Sequence, residues 1–117
     1  KIAKKMNTVK SLKIYTKSLH LVVEIYRLIE SSSKLAKDFS LCDQLKRAYV
    51  SIPANISEGY ARTRKYFKNY LDIAKGSTNE VITLLEVIHL VSKINNLKIQ
   101  EEYNYLARQI TSFSKSF

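Results

Sequence analysis

The fold is decided by residues 67–91, FKNYLDIAKGSTNEVITLLEVIHLV. Apolar or small residues recur here at alternating steps of three and four, the spacing of one face of a helix. The first such row is Phe67, Leu71, Ala74, Thr78, Val81, Leu85 and Ile88. A second row beside it is Tyr70, Ile73, Ser77, Glu80, Leu84, Val87 and Val91. A helix with two adjacent rows contacts more than one neighbour. We therefore predict one long helix from about 64 to 94, with Thr63 as its N-cap.

Three other segments show the same spacing and predict helices over about 12–32, 41–61 and 99–117. The row of the first is Leu12, Tyr15, Leu19, Val22, Tyr26 and Ile29. The row of the second is Leu45, Tyr49, Ile52 and Ile56. The row of the third is Ile99, Tyr103, Leu106, Ile110, Phe113 and Phe117. Four helices with short connections fold up-down-up-down, so we predict an all-α, antiparallel four-helix bundle over 11–117, preceded by a basic arm over 1–10.

The predicted helix ends follow from local residue types. Ser31–Ser33 ends the first helix and opens a connection that reaches Phe39. Ser40, with Asp43 three residues later, is the expected cap of the helix over 41–61. Pro53 lies inside that helix and predicts a kink, because proline removes one backbone hydrogen bond. The pair at 95–96, both Asn, predicts the left-handed turn that ends a helix.

Composition points to a polyanionic partner. The chain has 117 residues and a net charge of +10. Residues 1–37 hold nine Lys or Arg and two Glu, and so carry +7 of that charge. A charge of this size favours nucleic acid, or an acidic membrane surface as a weaker alternative. The other interpretation is a basic tail with no specific role.

The compartment is expected to be the cytoplasm. Cys42 is the single cysteine and cannot form an internal disulfide, which fits a reducing compartment. No apolar run is long enough to span a bilayer, and no charged-then-apolar leader opens the sequence. Because the sequence begins with Lys1 rather than Met, we expect residues before it.

A polar row interrupts the apolar pattern of the predicted helices over 41–61 and 64–94. Its members are Arg47, Ser51, Asn55, Glu58, Gly59, Gly76, Ser77 and Glu80, with Arg62 at its end. A glycine costs about 1 kcal/mol in a helix interior relative to alanine, so Gly59 and Gly76 predict close backbone approach. The row is then a contact between the two helices or between subunits. The alternative is that it faces water.

Basic residues with interleaved tyrosines form the candidate nucleic-acid site. The candidates are Lys13, Lys17, Lys46, Arg62, Arg64, Lys65 and Lys68. Such cations neutralise phosphates, and the rings of Tyr60, Tyr66 and Tyr70 can stack on unpaired bases. The alternative is that these tyrosines serve as core edges and interfaces.

No catalytic constellation is present in the sequence. His20 and His89 each lack a second ligand at metal-binding spacing, and Cys42 has no sequence cue for a catalytic partner. No glycine-rich phosphate loop occurs. We therefore expect a non-enzymatic protein without metal or cofactor.

Two motifs resemble a known family. The run over 44–62, QLKRAYVSIPANISEGYAR, resembles the signature of four-helix-bundle proteins encoded in intervening sequences of bacterial 23S rRNA. Phe67, the run YLDIAKGS over 70–77 and Glu80 are similar to the second signature of that family at matching spacing. The likeness covers about residues 10–117. Asn96 and Ile99 depart from it, because the family usually has Gly and Ser or Thr before its last helix.

This resemblance implies a four-helix bundle whose known members form ring-like pentamers. More distantly, the chain is similar to basic accessory proteins of diversity-generating retroelements, which work with RNA and a reverse transcriptase. Two hypotheses follow. The first is a homo-oligomeric module that binds RNA or another nucleic acid through phosphates. The second is a protein-interaction scaffold or accessory subunit for a nucleic-acid enzyme such as a reverse transcriptase.

Overall fold

The chain is all-helical over the residues that a computed structural model describes, which are 8, 9 and 12–117. The helices are α1 (Lys13–Glu30), α2 (Ser33–Ala36), α3 (Phe39–Tyr60), α4 (Arg64–Ser92) and α5 (Leu97–Lys115), and these described residues contain no strand. The predicted all-α class is therefore confirmed. The predicted basic arm lies outside the described residues except for Thr8 and Val9.

The segment between α1 and α3 is more ordered than expected. Instead of a plain connection it contains the one-turn helix α2, whose cap Ser32 accepts a hydrogen bond from the Leu35 amide at 3.2 Å. Leu35 is buried and so anchors this turn to the core. The expected cap of α3 was wrong: the Asp38 carboxylate caps it by accepting from the Leu41 amide at 3.2 Å, and Ser40 lies within the helix. Asp is as good a cap as Ser, so the pattern alone did not separate the two positions.

The turn between α4 and α5 also differs from the prediction. Lys93, with φ 61°, is the left-handed residue that ends α4. Asn96 instead joins the two helices: its buried amide donates to the Leu85 carbonyl at 2.8 Å and accepts from Gln100 at 2.7 Å. Thr63 lies at the predicted N-cap of α4 but makes no side-chain capping bond. Pro53 lies inside α3, which runs for 22 residues, and the kink there stays a prediction.

The four long helices each pack against two others. α1 contacts α3 and α5, and α4 contacts the same two helices from the other side, while α2 contacts α1, α3 and α4. The predicted row of α3 and the first predicted row of α4 are entirely buried, as are Tyr103, Leu106 and Ile110 of α5. None of the helices in the described part carries an apolar stretch long enough to cross a membrane.

The predicted row of α1 is only partly confirmed: its members Leu12, Tyr15, Val22 and Ile29 are partly buried and pack against the core. The side chains that α1 buries are Ile14, Ser18, Leu21 and Ile25, whereas Leu19 and Tyr26 of the predicted row are 40% and 46% exposed. Ser18 hides the true row in the sequence. Its hydroxyl donates to the Tyr15 carbonyl at 2.7 Å, so this polar residue is buried without an unpaired donor.

The second row of α4 is mostly unburied. Leu84 is buried, and Tyr70 and Ser77 are half-buried against α3, whereas Ile73, Val87 and Val91 are exposed. α4 therefore contacts more than one neighbour, as predicted, through its first row and part of its second. The three exposed apolar side chains of the second row stay on the outer surface of the single chain.

The two glycines behave differently. A Cβ on Gly59 would lie 2.6 Å from the Tyr70 Cβ and 2.8 Å from the Phe67 Cδ1, so α3 and α4 approach closely there, as predicted. Gly76 is exposed, and nothing lies within 4 Å of the position that a Cβ would take. The expected close approach at Gly76 is therefore absent within the described chain.

This contrast predicts opposite effects of one substitution. We expect Gly59→Ala to lower the free energy of unfolding by about 1–3 kcal/mol, because the new methyl group overpacks the contact. Gly76→Ala should raise it by up to about 1 kcal/mol through helix propensity. Urea unfolding monitored by circular dichroism, at one protein concentration, measures both. Equal effects of the two variants would contradict the packing described.

Tyr103 provides a second prediction. Its side chain is fully buried, and its hydroxyl has no hydrogen-bond partner among the described residues. Burial, with a smaller contribution from Tyr49, raises the pKa of Tyr103. An unsatisfied buried hydroxyl costs about 1–3 kcal/mol, so Tyr103→Phe should raise the free energy of unfolding by about 1 kcal/mol. Tyr66→Phe, the same change on an exposed ring, is the control. A loss of stability in Tyr103→Phe would show that a partner holds the hydroxyl.

Candidate nucleic-acid interface

The corner between α3 and α4 carries four exposed cations, Arg62, Arg64, Lys65 and Lys68, which we call the basic corner. A cluster of aromatic rings fixes it against the end of α5. The Phe67 ring lies 6.0 Å from that of Tyr60, 5.8 Å from that of Phe113 and 5.3 Å from that of Phe117. The corner cations therefore project from a packed support rather than from a loose loop.

The four corner cations are not equivalent. The Arg62 guanidinium donates to the Glu58 carboxylate and lies 5.6 Å from the centre of the Tyr70 ring. The hydrogen bond with Glu58 is the largest cause of the raised pKa of Arg62. The other three corner cations take part in none of the ion pairs between described residues. They are therefore the members of the corner with uncompensated charge.

The two candidate cations on α1 also differ in whether a carboxylate neutralises them. The Lys17 ammonium donates to the Glu102 carboxylate of α5 at 2.6 Å, and so its charge is largely neutralised. Lys13 is exposed and lines a hollow between α1 and α5 together with Gln109 and Phe113. Because Phe113 also contacts Phe67, Lys13 lies at the same end of the molecule as the basic corner.

Lys46 does not belong to this group. It lies 16 residues before Arg62, and the helical rise of 1.5 Å per residue separates the two by about 24 Å along the chain. Lys46 instead lines a shallow hollow with Asp43 and Arg47, which form an ion pair at 3.1 Å. Its expected place in the cluster was wrong, because nearness in sequence was taken for nearness in space.

The predicted polar row is partly a contact between α3 and α4. The Ser77 hydroxyl donates to the Ser51 hydroxyl at 2.9 Å, and the Asn55 amide donates to the same oxygen at 2.9 Å. Other members stay on the surface, including Glu80 and the pair of Glu58 with Arg62. One network thus joins the two helices, while the remaining charges of the row face outward.

A groove that the sequence pattern did not indicate lies between α4 and α5, with a volume of about 400 Å³. Its lining residues are Lys75, Asn104, Ala107, Arg108, Thr111, Ser112 and Lys115. We call it the α4–α5 groove. The available signal was the seven-residue step from Arg108 to Lys115, which places both cations on one face of α5. No sequence pattern joined them to Lys75, because that residue comes from another helix.

The candidate reactive groups lie apart from this surface. No cluster of His, Cys, Asp and Glu that could hold a metal ion occurs in the described part of the chain. The Cys42 thiol donates to the Leu35 carbonyl at 3.2 Å. Burial, with the nearby Asp38 charge, raises the pKa of Cys42, which disfavours the thiolate that nucleophilic chemistry needs. The His89 ring lies 3.3 Å from the Ile94 carbonyl at the turn after α4.

The chain matches a protein family but none of the curated proteins. The family described as 23S rRNA-intervening sequence protein matches residues 10–116. This range includes α1 to α5 and both motifs that carried the resemblance, which is thereby confirmed for this family. The likeness to retroelement accessory proteins stays a hypothesis. The chain belongs to the 23S rRNA-intervening sequence protein family.

Proposed function

We propose that this chain is a non-enzymatic, homo-oligomeric helical module that acts in the cytoplasm and binds RNA through its phosphates. The observation that carries the proposal is the set of exposed, unpaired cations at one end of the molecule, Arg64, Lys65 and Lys68. Cations that are already bound to carboxylates gain less from a phosphate, whereas these three can neutralise phosphates and so release the counterions that the RNA holds. The net charge of +10 adds long-range attraction for any polyanion.

The architecture that we propose for this module is an antiparallel up-down-up-down bundle of the four long helices. Contacts between neighbouring helices support it. Gly59, near the end of α3, meets Tyr70, near the start of α4, while the earlier Ser51 meets the later Ser77. Likewise, Leu12 and Lys13 at the start of α1 line one hollow with Phe113 and Ser116 at the end of α5. The short connections between the helices fit this topology.

Exposed apolar side chains support self-association. On α4, Ile73, Val87, Leu90 and Val91 are between 38% and 64% exposed. Val87, Leu90 and Val91 lie within five residues at the end of α4, and Ile73 lies earlier on the same helix. Exposed apolar side chains grouped in this way mark an interaction site. Arg47 and Glu80, both exposed and opposite in charge, suit the rim of such a contact. We propose a ring of identical subunits, a pentamer by the family resemblance, in which this surface of α4 is buried.

The alternative function is an accessory subunit for a nucleic-acid enzyme such as a reverse transcriptase. A second exposed apolar row favours it, formed by Leu19, Val23 and Tyr26 of α1. This row lies on a different helix from the proposed subunit contact and offers a separate surface for a protein partner. Salt-insensitive capture of a protein would support this alternative, and salt-sensitive binding of RNA supports the main proposal.

The RNA proposal is tested by removing the unpaired corner charges. We expect the triple variant Arg64→Gln, Lys65→Gln and Lys68→Gln to bind a labelled single-stranded RNA more weakly at every salt concentration. The slope of log affinity against log salt should become less negative by about 2, since each phosphate contact contributes about 0.7. Fluorescence anisotropy over a salt series measures both quantities.

The matched control for that variant is Lys34→Gln, Lys37→Gln and Lys98→Gln. It removes the same charge from exposed positions away from the corner, so it should leave the slope unchanged. Absence of RNA binding by the parent protein at low salt would overturn the proposed function. An equal loss in both triples would show that net charge, not the corner, drives binding.

The assembly proposal is tested by mass. Light scattering at micromolar concentration should give a mass several times the 13.5 kDa of one chain. Ile73→Glu with Val91→Glu should reduce it to one chain and keep the helical circular dichroism, because two charges would be buried unpaired. Thr16→Glu with Ser31→Glu adds the same charge to exposed positions of α1 and its C-cap. Because α1 does not pack against α4, this pair should leave the assembly intact. A parent mass of 13.5 kDa would contradict self-association.

A further inference from the structure

The α4–α5 groove is a shallow, open hollow that carries three cations. Lys75 stands on its α4 side, and Arg108 and Lys115 stand on its α5 side. Ser112 lines it between these cations and supplies a hydroxyl group that can donate to a phosphate oxygen. The neighbouring Thr111 hydroxyl already donates to the Ala107 carbonyl at 3.1 Å. The half-buried Ala107 also lines the groove, and its small side chain leaves room between the two helices.

The groove cations are not compensated by carboxylates of the described chain. Lys75, Arg108 and Lys115 are exposed, and none of them belongs to an ion pair between described residues. One carboxylate, that of Asp72, lines an adjoining hollow together with Lys75 and Lys115. Three positive groups against one negative group leave this surface positive and open to an anionic ligand.

The groove continues the basic corner. Lys68 and Lys75 lie seven residues apart on α4, which places them on the same face about 10 Å from each other. The contact of Phe67 with Phe117 holds the start of α4 against the end of α5, next to Lys115. Cations thus follow one another from the corner into the groove, at a spacing that a chain of phosphates can follow.

The ring of Tyr105 lies outside the lining of the groove and adjoins it through Arg108. The Arg108 guanidinium lies 5.7 Å from the centre of the Tyr105 ring, and the Lys17 ammonium lies 5.8 Å from the same centre. Tyr105 is 48% exposed. A partly exposed ring next to a phosphate-binding row is the arrangement on which unpaired bases stack. Bases in a duplex are already stacked and cannot reach such a ring.

We propose that single-stranded RNA lies along the α4–α5 groove, with phosphates on Lys75, Arg108 and Lys115 and one base stacked on Tyr105. This inference rests on the proposed RNA binding and adds to it the path of the strand and its preference for unpaired bases. The site lies on the α5 side of α4. It therefore stays open when the proposed subunit contact, on the exposed apolar surface of α4, is occupied.

The test compares two variants with the control triple in binding to a fluorescein-labelled oligouridine. The groove triple is Lys75→Gln, Arg108→Gln and Lys115→Gln, and the stacking variant is Tyr105→Leu. The groove triple should flatten the salt slope by about 2. Tyr105→Leu should weaken binding about five-fold or more with an unchanged slope, because it removes stacking and no charge. The control triple Lys34→Gln, Lys37→Gln and Lys98→Gln should leave the salt slope unchanged and, because it keeps Tyr105, the contribution of stacking to affinity as well.

The outcomes separate this inference from the proposed function. If the parent binds and the groove triple behaves like the control triple, the groove is not the site, while RNA binding stands. If the parent does not bind oligouridine or any other single strand at low salt, both proposals fail. Equal affinity of the parent for a duplex of the same length would overturn the part assigned to Tyr105. Unchanged helical circular dichroism in every variant confirms that the comparison is between folded proteins.

Discussion

The close approach of α3 and α4 at Gly59 is the contact on which the rest of the structure depends. A side chain at this position would collide with Tyr70 and Phe67, so the absence of one lets the two helices meet just before the corner. Phe67 then reaches Phe113 and Phe117 and ties α5 to the same end. These contacts together fix the end of the molecule that carries the basic corner. Overpacking the approach at Gly59 would disturb the core and the candidate binding surface together.

The fold was predictable where the longest apolar row of a helix is also the buried one. This holds for α3 and for the first row of α4, which is buried throughout, including Thr78, whose hydroxyl donates to the Ala74 carbonyl. It holds less well for α1, because a longer apolar row lies beside the buried one, which Ser18 interrupts. The left-handed conformation of Lys93 was not predicted either. Asn96, a residue type that favours this conformation, instead donates its side-chain amide to the Leu85 carbonyl.

The candidate site was predictable only where its residues are close in sequence. The basic corner is a continuous stretch, so the pattern showed it. Lys17 was mistaken for a free cation because its partner, Glu102, lies 85 residues away. The α4–α5 groove was missed for the same reason, as it joins Lys75 to a face of α5. Charge compensation and grooves depend on long-range pairing of helices, which periodicity within one helix does not reveal.

We propose two working sides for the molecule, with self-association on the exposed apolar surface of α4 and RNA on the basic corner and the α4–α5 groove. Hydrogen exchange read by mass spectrometry, with and without single-stranded RNA, tests this division most directly. We expect slower exchange in 62–75 and 104–115 when RNA is bound, and unchanged exchange in 39–50. Protection confined to α1 or to the first half of α3 would contradict it.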